Sequence, residues 1–504
     1  MAAATRWAGR RVQAEMVDMV GGPARARVIF VFGAVLALSS ADAATVGAVA
    51  GQLQPDLHIG NAKIGLLGSA SLVVGAIAAV PVGLLVDRVK RVRLLAGSIV
   101  LWSIAMFMSG AAGSYSTLLY SRLALGAVTA TAGPAIASLT GDYFGPRERG
   151  RVYGYILGGE IAGTAIGFVV SGLIAAALSW RFAFWAIAIP GFFLARTIWR
   201  TVPEPRRGGQ SRLEHGELDL FAAAAGDNRD ADEEQVEEPV REDELAHEAA
   251  RRRGVSPDPE LVLREDAAGM PLFRAVRYIL RVPTNVTLIV SSALGYFFLA
   301  GLNTFAVVFV RGHYHTSQAT ATAVLGVLVV GALVGTLVSG RLTDWMLRRG
   351  VINARVWVPA VSYVGASVLL VPGLLGTSLT PALWFDVGGA ALIAAANPPL
   401  DAARLDIMPS GLWGRAESVR TLLRTLGQAV APLLFGAIAD LVAGITPHQA
   451  PVGTKPGGIS PDTARGLEVS FLLMLIPLAA AGLILLKARH TYPRDVATAA
   501  AAEP

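Results

Sequence analysis

The sequence predicts an all-α membrane protein with twelve transmembrane helices in two pseudo-symmetric six-helix bundles. Three observations support this fold class. Of the 504 residues, 53% are hydrophobic and only 16% are charged, whereas soluble proteins carry about 25% charged residues. The mean hydropathy is +0.53, and twelve apolar stretches are long enough to cross a bilayer. Two loop patterns also recur in the two halves of the chain.

A transmembrane helix needs about 20 consecutive apolar residues. We number the stretches of sufficient length as predicted helices 1 to 12, near residues 27–52, 62–86, 94–113, 116–143, 150–178, 180–200, 284–311, 318–346, 353–373, 381–408, 413–442 and 467–487. Six precede and six follow a long charged segment. The predicted domains are a cytoplasmic tail, an N-terminal bundle, an acidic cytoplasmic linker with the lead-in to helix 7, a C-terminal bundle and a second cytoplasmic tail, over residues 1–26, 27–200, 201–283, 284–487 and 488–504.

Basic residues identify the cytoplasmic side. Arg and Lys cluster in the loops after predicted helices 2, 4 and 8, whereas loops 3–4 and 9–10 contain neither. Since basic loops stay in the cytoplasm, we expect a multi-pass protein of a bacterial inner membrane with both termini and the linker cytoplasmic. The first apolar stretch is too long for the core of a signal peptide, so we expect an uncleaved first helix.

The linker is strongly acidic. Residues 201–266 hold nineteen acidic residues and nine arginines, a net charge of −10, while the whole chain carries +6. Such polar segments cannot bury a core, so we expect a mostly disordered tether with an amphipathic helix around Arg241–Arg253. A partner-binding element is the alternative. The basic remainder of the chain suits anionic membrane lipid rather than nucleic acid.

The composition excludes several kinds of chemistry. The chain has no cysteine, so it forms no disulfide and uses no thiolate nucleophile or cysteine-ligated metal. His313 and His315 lie in a predicted loop without nearby carboxylates, and we interpret them as surface residues rather than metal ligands. We expect no metal, no cofactor and no enzymatic activity, since the sequence contains no G-x-S-x-G elbow, no helical histidine pair and no phosphate-binding loop.

A loop pattern after predicted helix 2 recurs after predicted helix 8. Gly83 and Asp87 in GLLVDRVKRVR match Gly340 and Asp344 in GRLTDWMLRRG, at an offset of 257 residues. The doubled motif predicts two homologous halves. We assign both loops to a cytoplasmic gate; the alternative is that their charges only orient the protein.

A second pattern lies between predicted helices 4 and 5 and again between helices 10 and 11. Asp142 stands nine residues before Arg151, and Asp406 stands nine residues before Arg415, at an offset of 264. Internal repeats of this kind are typical of secondary transporters, whose substrate sites lie near the bilayer midplane between the repeats.

Ionisable residues inside predicted membrane helices are functional candidates, because a charge in hydrocarbon is costly. Asp42 lies about 22 Å into helix 1 and Arg122 about 9 Å from the outer end of helix 4, and these depths nearly coincide in a core of about 30 Å. We expect the two residues to pair at the substrate cavity, with Asp42 as a proton- or substrate-linked switch. A purely structural salt bridge is the alternative.

Two further charged pairs follow from the helix positions. Glu160 in helix 5 and Arg424 in helix 11 fall near the midplane at positions related by the repeat. An acid and a base there suit a zwitterionic or phosphate-bearing substrate, with the arginine binding the anionic group; helix packing is the alternative. Nearer the cytoplasm, Asp401 in helix 10 and Arg420 in helix 11 share a depth and are expected to close an inner gate.

Two asparagines complete the candidates. Asn397 precedes Pro398 and Pro399, and a double proline removes two helical hydrogen-bond donors. We therefore expect an interruption in helix 10, which is either a gating bend or a static kink. Asn303 in helix 7 is a further polar candidate, for which a bridge between helices is the alternative.

The loop after helix 2 resembles the signature of the major facilitator superfamily, and the resemblance extends over essentially the whole chain. Gly83, Asp87, Arg88 and Arg91 carry it, although Lys90 stands where the family usually has glycine. The resemblance implies the family's twelve-helix fold and its cytoplasmic gate, to which these four residues would belong.

The family also implies partners for the gate. Its loop aspartate faces the start of helix 11, and its basic residue pairs with the acid that ends helix 4. These positions correspond here to Asp87 with the helix start Pro409–Trp413, and to Arg91 with Asp142. Carboxylates favour helix N-termini, and a charge-assisted pair can hold the cytoplasmic side shut.

Within the superfamily, the chain most resembles the spinster-like lysolipid and sphingolipid carriers. The matching positions are Asp42, Arg122, Gly126, Asp142, Tyr143, Phe144, Arg149, Arg151, Trp180, Arg181, Pro190, Gly191, Glu204, Gly427, Pro432, Gly436 and Asp440. Two positions depart from the pattern: Ala43 replaces a common arginine, and Thr129 replaces an expected glutamate. The subfamily's usual proton carrier is therefore missing or moved.

The resemblance implies a monomeric secondary transporter that works by alternating access. Protons would be the coupling ion, and the substrate would be amphipathic and lipid-like, such as a lysophospholipid. A proton-coupled drug or small organic-anion transporter is the alternative. The remaining classes are a membrane-embedded enzyme, for which no catalytic motif is found, and a transporter-like receptor or scaffold, which only the linker supports.

Overall fold

The computed structural model describes residues 21–144, 149–205, 213, 220, 242–264, 270–444 and 459–502. These residues form helices and connecting turns, with no strand among them. Twelve segments within these ranges are long and apolar enough to cross a membrane. The predicted all-α membrane fold with twelve transmembrane helices is confirmed.

The helices follow the predicted order. In the first half, α1 to α7 are Pro23–Leu57, Asn61–Arg88, Arg91–Gly110, Tyr115–Thr129, Ala132–Tyr143, Arg149–Ala177 and Trp180–Thr201. Two shorter helices follow, α8 at Glu242–Arg252 and α9 at Leu272–Ile279. In the second half, α10 to α16 are Pro283–His313, Gln318–Arg348, Ala354–Leu375, Leu379–Ala395, Asn397–Asp406, Trp413–Val442 and Pro461–Ala502.

Two membrane spans are each built from two helices. The break between α13 and α14 falls at Ala396, directly before the Asn397–Pro399 sequence, as predicted. The break between α4 and α5 was not predicted, and it follows from Pro134, which has no N–H to donate to the carbonyl four residues earlier. Both spans therefore have backbone carbonyls without regular helical partners near their centres.

The last helix is longer than the sequence predicts. We expected the membrane helix to end at residue 487, yet α16 continues to Ala502. Tyr492, Asp495 and Val496 are buried in this extension, because its residues pack against other parts of the C-terminal half. Part of the predicted second tail is therefore an integral, packed helix.

The linker contains the amphipathic helix that its sequence predicts. Helix α8 buries Ala246, Ala249 and Ala250 and contacts α11, α14 and α16. The segment after it is held by Asp258, whose carboxylate lies 3.1 Å from the Arg494 guanidinium. The predicted disorder of the tether concerns residues that mostly lie outside the described ranges.

The chain divides into two compact units. The N-terminal unit contains Met1–Gln52 and Ala70–Gln235, and the C-terminal unit contains Leu53–Ser69 and Val236–Pro504. The predicted bundle boundaries placed residues 53–69 in the N-terminal bundle, whereas their packing assigns them to the C-terminal unit. Asp440 on α15 explains this assignment, because its carboxylate accepts hydrogen bonds from the backbone N–H groups of Asn61 and Ala62 at 3.0 and 2.8 Å.

A glycine stripe on α6 fixes the position of α1 in the N-terminal unit. Gly159, Gly163 and Gly167 are spaced four residues apart and lie against the backbone of α1, where an added Cβ would overlap it. Small residues allow such close helix contacts within membranes. The last of the three faces Ala41, so this contact also sets the position of the adjacent Asp42.

Candidate functional site

A buried ion pair joins two membrane helices of the N-terminal unit. Asp42 on α1 and Arg122 on α4 are both buried. Nη1 of Arg122 donates to Oδ1 of Asp42 at 2.5 Å, and Nη2 lies 3.5 Å from Oδ2. The structure thus brings together the two residues that the predicted depths paired. One acid faces one base, so the pair carries no net charge.

Glu160 has a different environment. Its side chain lies on an exposed face of α6 and makes no ion pair within the described residues. Its backbone oxygen accepts a hydrogen bond from the hydroxyl of Thr164 at 3.0 Å. Glu160 therefore keeps its carboxylate available, as a substrate- or proton-binding group requires.

The C-terminal unit concentrates five charged side chains on α14 and α15, which we call the arginine cluster: Asp401, Arg404, Glu417, Arg420 and Arg424. Arg420 lies 2.9 Å from both the Asp401 and the Glu417 carboxylates, and Arg404 lies 2.5 Å from Glu417. Arg404 and Arg420 are buried, whereas the two acids are partly exposed. The predicted partners Asp401 and Arg420 do meet, and both lie in the same unit.

Arg424 is the member of the arginine cluster without a carboxylate partner in the described structure. Its guanidinium carbon lies 4.3 Å from the ring centroid of Tyr296 on α10, a cation–π contact. Its Nε is buried and has no hydrogen-bond partner among the described atoms. Three arginines and two acids leave the cluster with a net charge of +1. An anion would satisfy both the unpaired charge and the open donor.

The N-terminal unit also has a buried ion pair at the start of α3, which we call the first clasp: Arg91, Asp142 and Glu204. Nη1 of Arg91 donates to Asp142, and Nε donates to Glu204 at 3.1 Å. The backbone N–H groups of Arg91 and Val92 also donate to Glu204, at 3.0 and 2.8 Å. The expected partners meet, and Glu204 adds a second carboxylate that caps the N-terminus of α3.

A second clasp in the C-terminal unit consists of Arg355, Asp406 and Tyr492. Nη1 of Arg355 donates to one oxygen of Asp406, and the hydroxyl of Tyr492 donates to the other. The backbone oxygen of Asp406 lies 2.9 Å from Nε2 of His247 on α8. Arg355 stands 264 residues after Arg91, the same offset that relates the two aspartates. The repeat could therefore have revealed this pair, which the sequence reading missed.

Several predicted gate residues have no described contact that supports or excludes the role. The side chains at Gly83 and Asp87 lie outside the described residues. Arg88 is exposed, and Asp344 is half-buried without an ion pair in the described ranges. An added Cβ at Gly340 would meet open space. The helix start near Pro409–Trp413 contains a short 3-10 turn, Ser410–Leu412.

The two predicted asparagines lie on different helices of the C-terminal unit. Asn303 on α10 and Asn397 at the start of α14 are both half-buried. Neither side chain donates or accepts a hydrogen bond within the described structure. They remain polar groups available to a ligand or to water.

The interpretation of His313 as a surface residue was wrong. Its side chain is only 13% exposed, and its Nδ1 lies 3.4 Å from Oε2 of Glu468. The carboxylate comes from α16, 155 residues along the chain, so local sequence could not reveal it. His315 is exposed, as expected. No cluster of three metal-ligating side chains occurs in the described part of the chain.

The fold and its buried charges define a polytopic helical membrane protein. The sequence profile of the Major Facilitator Superfamily matches residues 31–432. The chain belongs to this family, which confirms the resemblance of its loop motifs.

Individual relatives match smaller parts of the chain. A probable 4-methylmuconolactone transporter of Cupriavidus pinatubonensis is 33% identical over 138 residues, which are 27% of this chain and 32% of the relative. The 3-(3-hydroxy-phenyl)propionate transporter of Escherichia coli is 27% identical over 170 residues, which are 34% of this chain and 42% of the relative. The chain thus spans well under two thirds of the curated relatives it matches.

A solved structure matches nearly the whole fold. It is a bacterial homologue of the human lysosomal transporter Spinster in an inward-facing and occupied conformation, with a TM-score of 0.72 and 20% sequence identity. The match covers 94% of this chain and 98% of that chain. The two proteins share the fold.

Proposed function

We propose that the protein is a secondary active transporter that moves a small organic anion across a bacterial inner membrane by alternating access. The observation that carries the proposal is the arginine cluster, whose net charge of +1 lies on membrane helices. An unbalanced charge there is costly unless a ligand or a counterion meets it. We propose that the substrate supplies this negative charge.

Arg424 is the proposed contact for the anionic group. A guanidinium presents several donors in one plane and matches the two oxygens of a carboxylate. Arg424 keeps its Nε without a described partner, while the Tyr296 ring supports the guanidinium from one face. Tyr296 would also offer an aromatic surface to the apolar part of a substrate. Asn303 and Asn397 are proposed as further polar contacts.

The named substrate of one relative supports this chemistry. The Escherichia coli relative is named for 3-(3-hydroxy-phenyl)propionate, an anion with an aromatic ring and a short carboxylate chain. A substrate of this kind would place its carboxylate on Arg424 and its ring beside the Tyr296 ring. We propose an aromatic or otherwise amphipathic monoanion as the substrate class.

Asp42 is the proposed proton-linked group, with Glu160 as the second candidate. Arg122 holds the Asp42 carboxylate at 2.5 Å, and proton uptake by Asp42 would weaken that ion pair. Coupling would then follow from the change in the Asp42–Arg122 contact. The alternative is that Asp42 and Arg122 form a static salt bridge. Transport measured with and without a pH gradient distinguishes this role from proton coupling.

The predicted gate remains part of the proposal. The two clasps and the pair Asp401–Arg420 would hold cytoplasmic helix ends in place, together with Gly83, Asp87, Arg88, Gly340 and Asp344. The helix break at Asn397 would allow α14 to tilt relative to α13. In this account the transporter acts as a monomer and needs no cofactor.

Transport of a lysophospholipid is the second candidate function. The fold shared with the Spinster homologue and the motif positions from Asp42 to Asp440 favour it. The phosphate of such a lipid would use the same arginine as a carboxylate would. Chain length and apolar area, rather than the charge, therefore separate the two candidates.

Counterflow in proteoliposomes tests the proposed function. Proteoliposomes that contain the purified protein would be loaded with unlabelled 3-(3-hydroxyphenyl)propionate. The labelled compound would then be added outside, with and without an inward proton gradient. We expect uptake by the wild type, a loss of at least tenfold in Arg424→Gln, and no change in Arg489→Gln, which removes an exposed arginine of α16.

A parallel experiment uses labelled lysophosphatidylcholine under the same conditions. Uptake of the lysolipid without uptake of the acid would replace the organic-anion proposal with the second candidate. Uptake of neither compound, or full activity of Arg424→Gln, would contradict the assignment of Arg424 to the substrate.

A further inference from the structure

His313 lies at the last position of α10 and contacts two other parts of the C-terminal unit. Its Nε2 lies 2.8 Å from the backbone oxygen of Gly376, just after α12. Its Nδ1 lies 3.4 Å from Oε2 of Glu468 on α16. The ring also stacks on Phe309, with 4.9 Å between centroids. Both ring nitrogens therefore face oxygen acceptors, and packing fixes the ring between them.

The protonation state of His313 decides how many of these contacts form. A neutral imidazole has one N–H, so it can donate to only one of the two oxygens. If Nε2 donates to Gly376, the lone pair of Nδ1 faces the Glu468 carboxylate. An imidazolium donates from both nitrogens and forms an ion pair with Glu468. The protonated ring can therefore make one contact more than the neutral ring.

A second carboxylate stands close to this pair. Asp386 on α13 is half-buried, and its Oδ1 lies against Gly373 near the end of α12. The hydroxyl of Tyr314 donates to the backbone oxygen of the same glycine at 2.5 Å. Burial raises the pKa of Tyr314, and the negative charges of Asp386 and Glu468 raise it further. Two acids therefore act on the Tyr314 hydroxyl, and the Tyr314 ring contacts that of His313 with 4.7 Å between centroids.

Two further ionisable groups adjoin His313 in the sequence. Arg311 precedes it by two residues on α10, and His315 follows it on the exposed loop. The end of α12 contributes backbone carbonyls. Since α12 has 22 residues, its two ends are about 33 Å apart at 1.5 Å per residue. His313 is therefore at the opposite end of the unit from Arg355 and the second clasp.

We propose that His313 and Glu468 form a proton-binding site at this end of the C-terminal unit, separate from Asp42. Proton uptake by His313 creates the ion pair with Glu468 and ties the end of α10 to α16 and to the loop after α12. Proton release leaves only the contact with Gly376 and loosens α10. The proton binding stands without the transport assignment, whereas its use in coupling rests on the proposed function.

Thermal unfolding of the full-length protein in detergent tests the proton site directly. We expect the wild type to unfold about 1 °C higher at pH 6 than at pH 8, because the ion pair is present at the lower pH and lost at the higher one. His313→Gln and Glu468→Gln should each reduce this difference to that of the remaining groups. His315→Gln removes an exposed histidine two positions away and should retain the full difference.

Two outcomes would overturn the proton site. One is an unchanged pH difference in both His313→Gln and Glu468→Gln; the other is a loss of the difference in His315→Gln alone. The Glu468 variant keeps the result decisive if the His313 variant does not fold, because glutamine retains the shape and removes only the charge.

Counterflow at outside pH values of 6 and 8 tests the use of the site in coupling. We expect a wild-type pH dependence that His313→Gln weakens at least threefold and His315→Gln leaves intact. If no variant and no wild-type protein transports the probe, the proposed function fails, while the unfolding data still decide the proton site. If the unfolding data support the site and the pH dependence of transport is unaltered in His313→Gln, the coupling role is rejected.

Discussion

The two units of the protein compensate their buried charges in different ways. In the N-terminal unit, Asp42 faces Arg122 and the pair is neutral. In the C-terminal unit, the arginine cluster sets three arginines against two acids, and Arg424 contacts an aromatic ring instead of a carboxylate. A neutral ion pair needs no ligand to balance its charge, whereas the net positive charge of the cluster favours binding of an anion. On this ground we propose that the proton-linked switch lies in the first unit and that the anionic substrate binds in the second.

The two clasps are a feature that the two units share. Each unit has an arginine at a helix start bonded to an aspartate at a helix end, at one sequence offset. These pairs are balanced in both units. Their third members differ in charge, because Glu204 adds a second carboxylate to the first clasp and Tyr492 adds a hydroxyl to the second. We therefore expect the two units to differ more in how they respond to substitution of their membrane charges than in how they respond to substitution of their clasps.

Removal of Arg122 should have the largest effect on stability. Arg122→Ala leaves the buried Asp42 carboxylate without its partner, and breaking a buried pair in this way costs about 3–5 kcal/mol. We expect the double variant Asp42→Asn with Arg122→Gln to recover most of that loss, because it leaves no unpaired charge. Thermal unfolding of the purified variants measures both. Equal destabilisation by the single and double variants would show that the pair is not the source of the loss.

Removal of the aspartate from each clasp should show how much the third member of that clasp contributes to stability. Asp406→Ala removes the buried carboxylate that Arg355 and Tyr492 contact in the second clasp and should cost about 3 kcal/mol. Asp142→Ala should cost less, about 2 kcal/mol, since Glu204 still contacts Arg91. The comparison of the two unfolding temperatures is the measurement. A larger loss in Asp142→Ala would mean that Glu204 does not compensate.

The smallest expected effect concerns the aromatic support of Arg424. Tyr296→Leu removes the cation–π contact, which contributes about 0.5–1 kcal/mol, so the apparent affinity for an organic anion should fall by about two- to fivefold. Tyr296→Phe keeps the ring and serves as the matched control. Concentration-dependent uptake in proteoliposomes measures both affinities. An equal loss in the two variants would assign the effect to the hydroxyl instead of the ring.

Hydropathy and repeats were enough to predict most of the fold. Twelve spans, the break at Asn397 and the helix in the linker follow from apolar length, proline and amphipathic pattern. The break before Pro134 was missed because one proline within an apolar run reads as a tolerated kink. The extension of α16 was missed because Lys487, Arg489 and Arg494 read as a cytoplasmic tail, whereas Tyr492 and Asp495 between them are buried.

Contacts of the candidate site were predictable where helix depth or a family motif related two residues. Helix depth paired Asp42 with Arg122, and the family motif paired Arg91 with Asp142. Arg404 and Glu417 were missed because nothing in a linear sequence shows that their side chains, on α14 and α15, contact each other. Glu468 was missed as the neighbour of His313 for the same reason: the contact joins α10 to α16.

The most direct test of the central claim compares binding of an anion with binding of its neutral analogue. Purified wild-type protein and Arg424→Gln would each be titrated with 3-(3-hydroxyphenyl)propionate and with the corresponding amide, which has the same shape without the charge. Our account predicts that the wild type binds the acid at least tenfold more tightly than the amide and that Arg424→Gln loses this preference. Equal binding of acid and amide by the wild type, or a preference that survives in the variant, would contradict it.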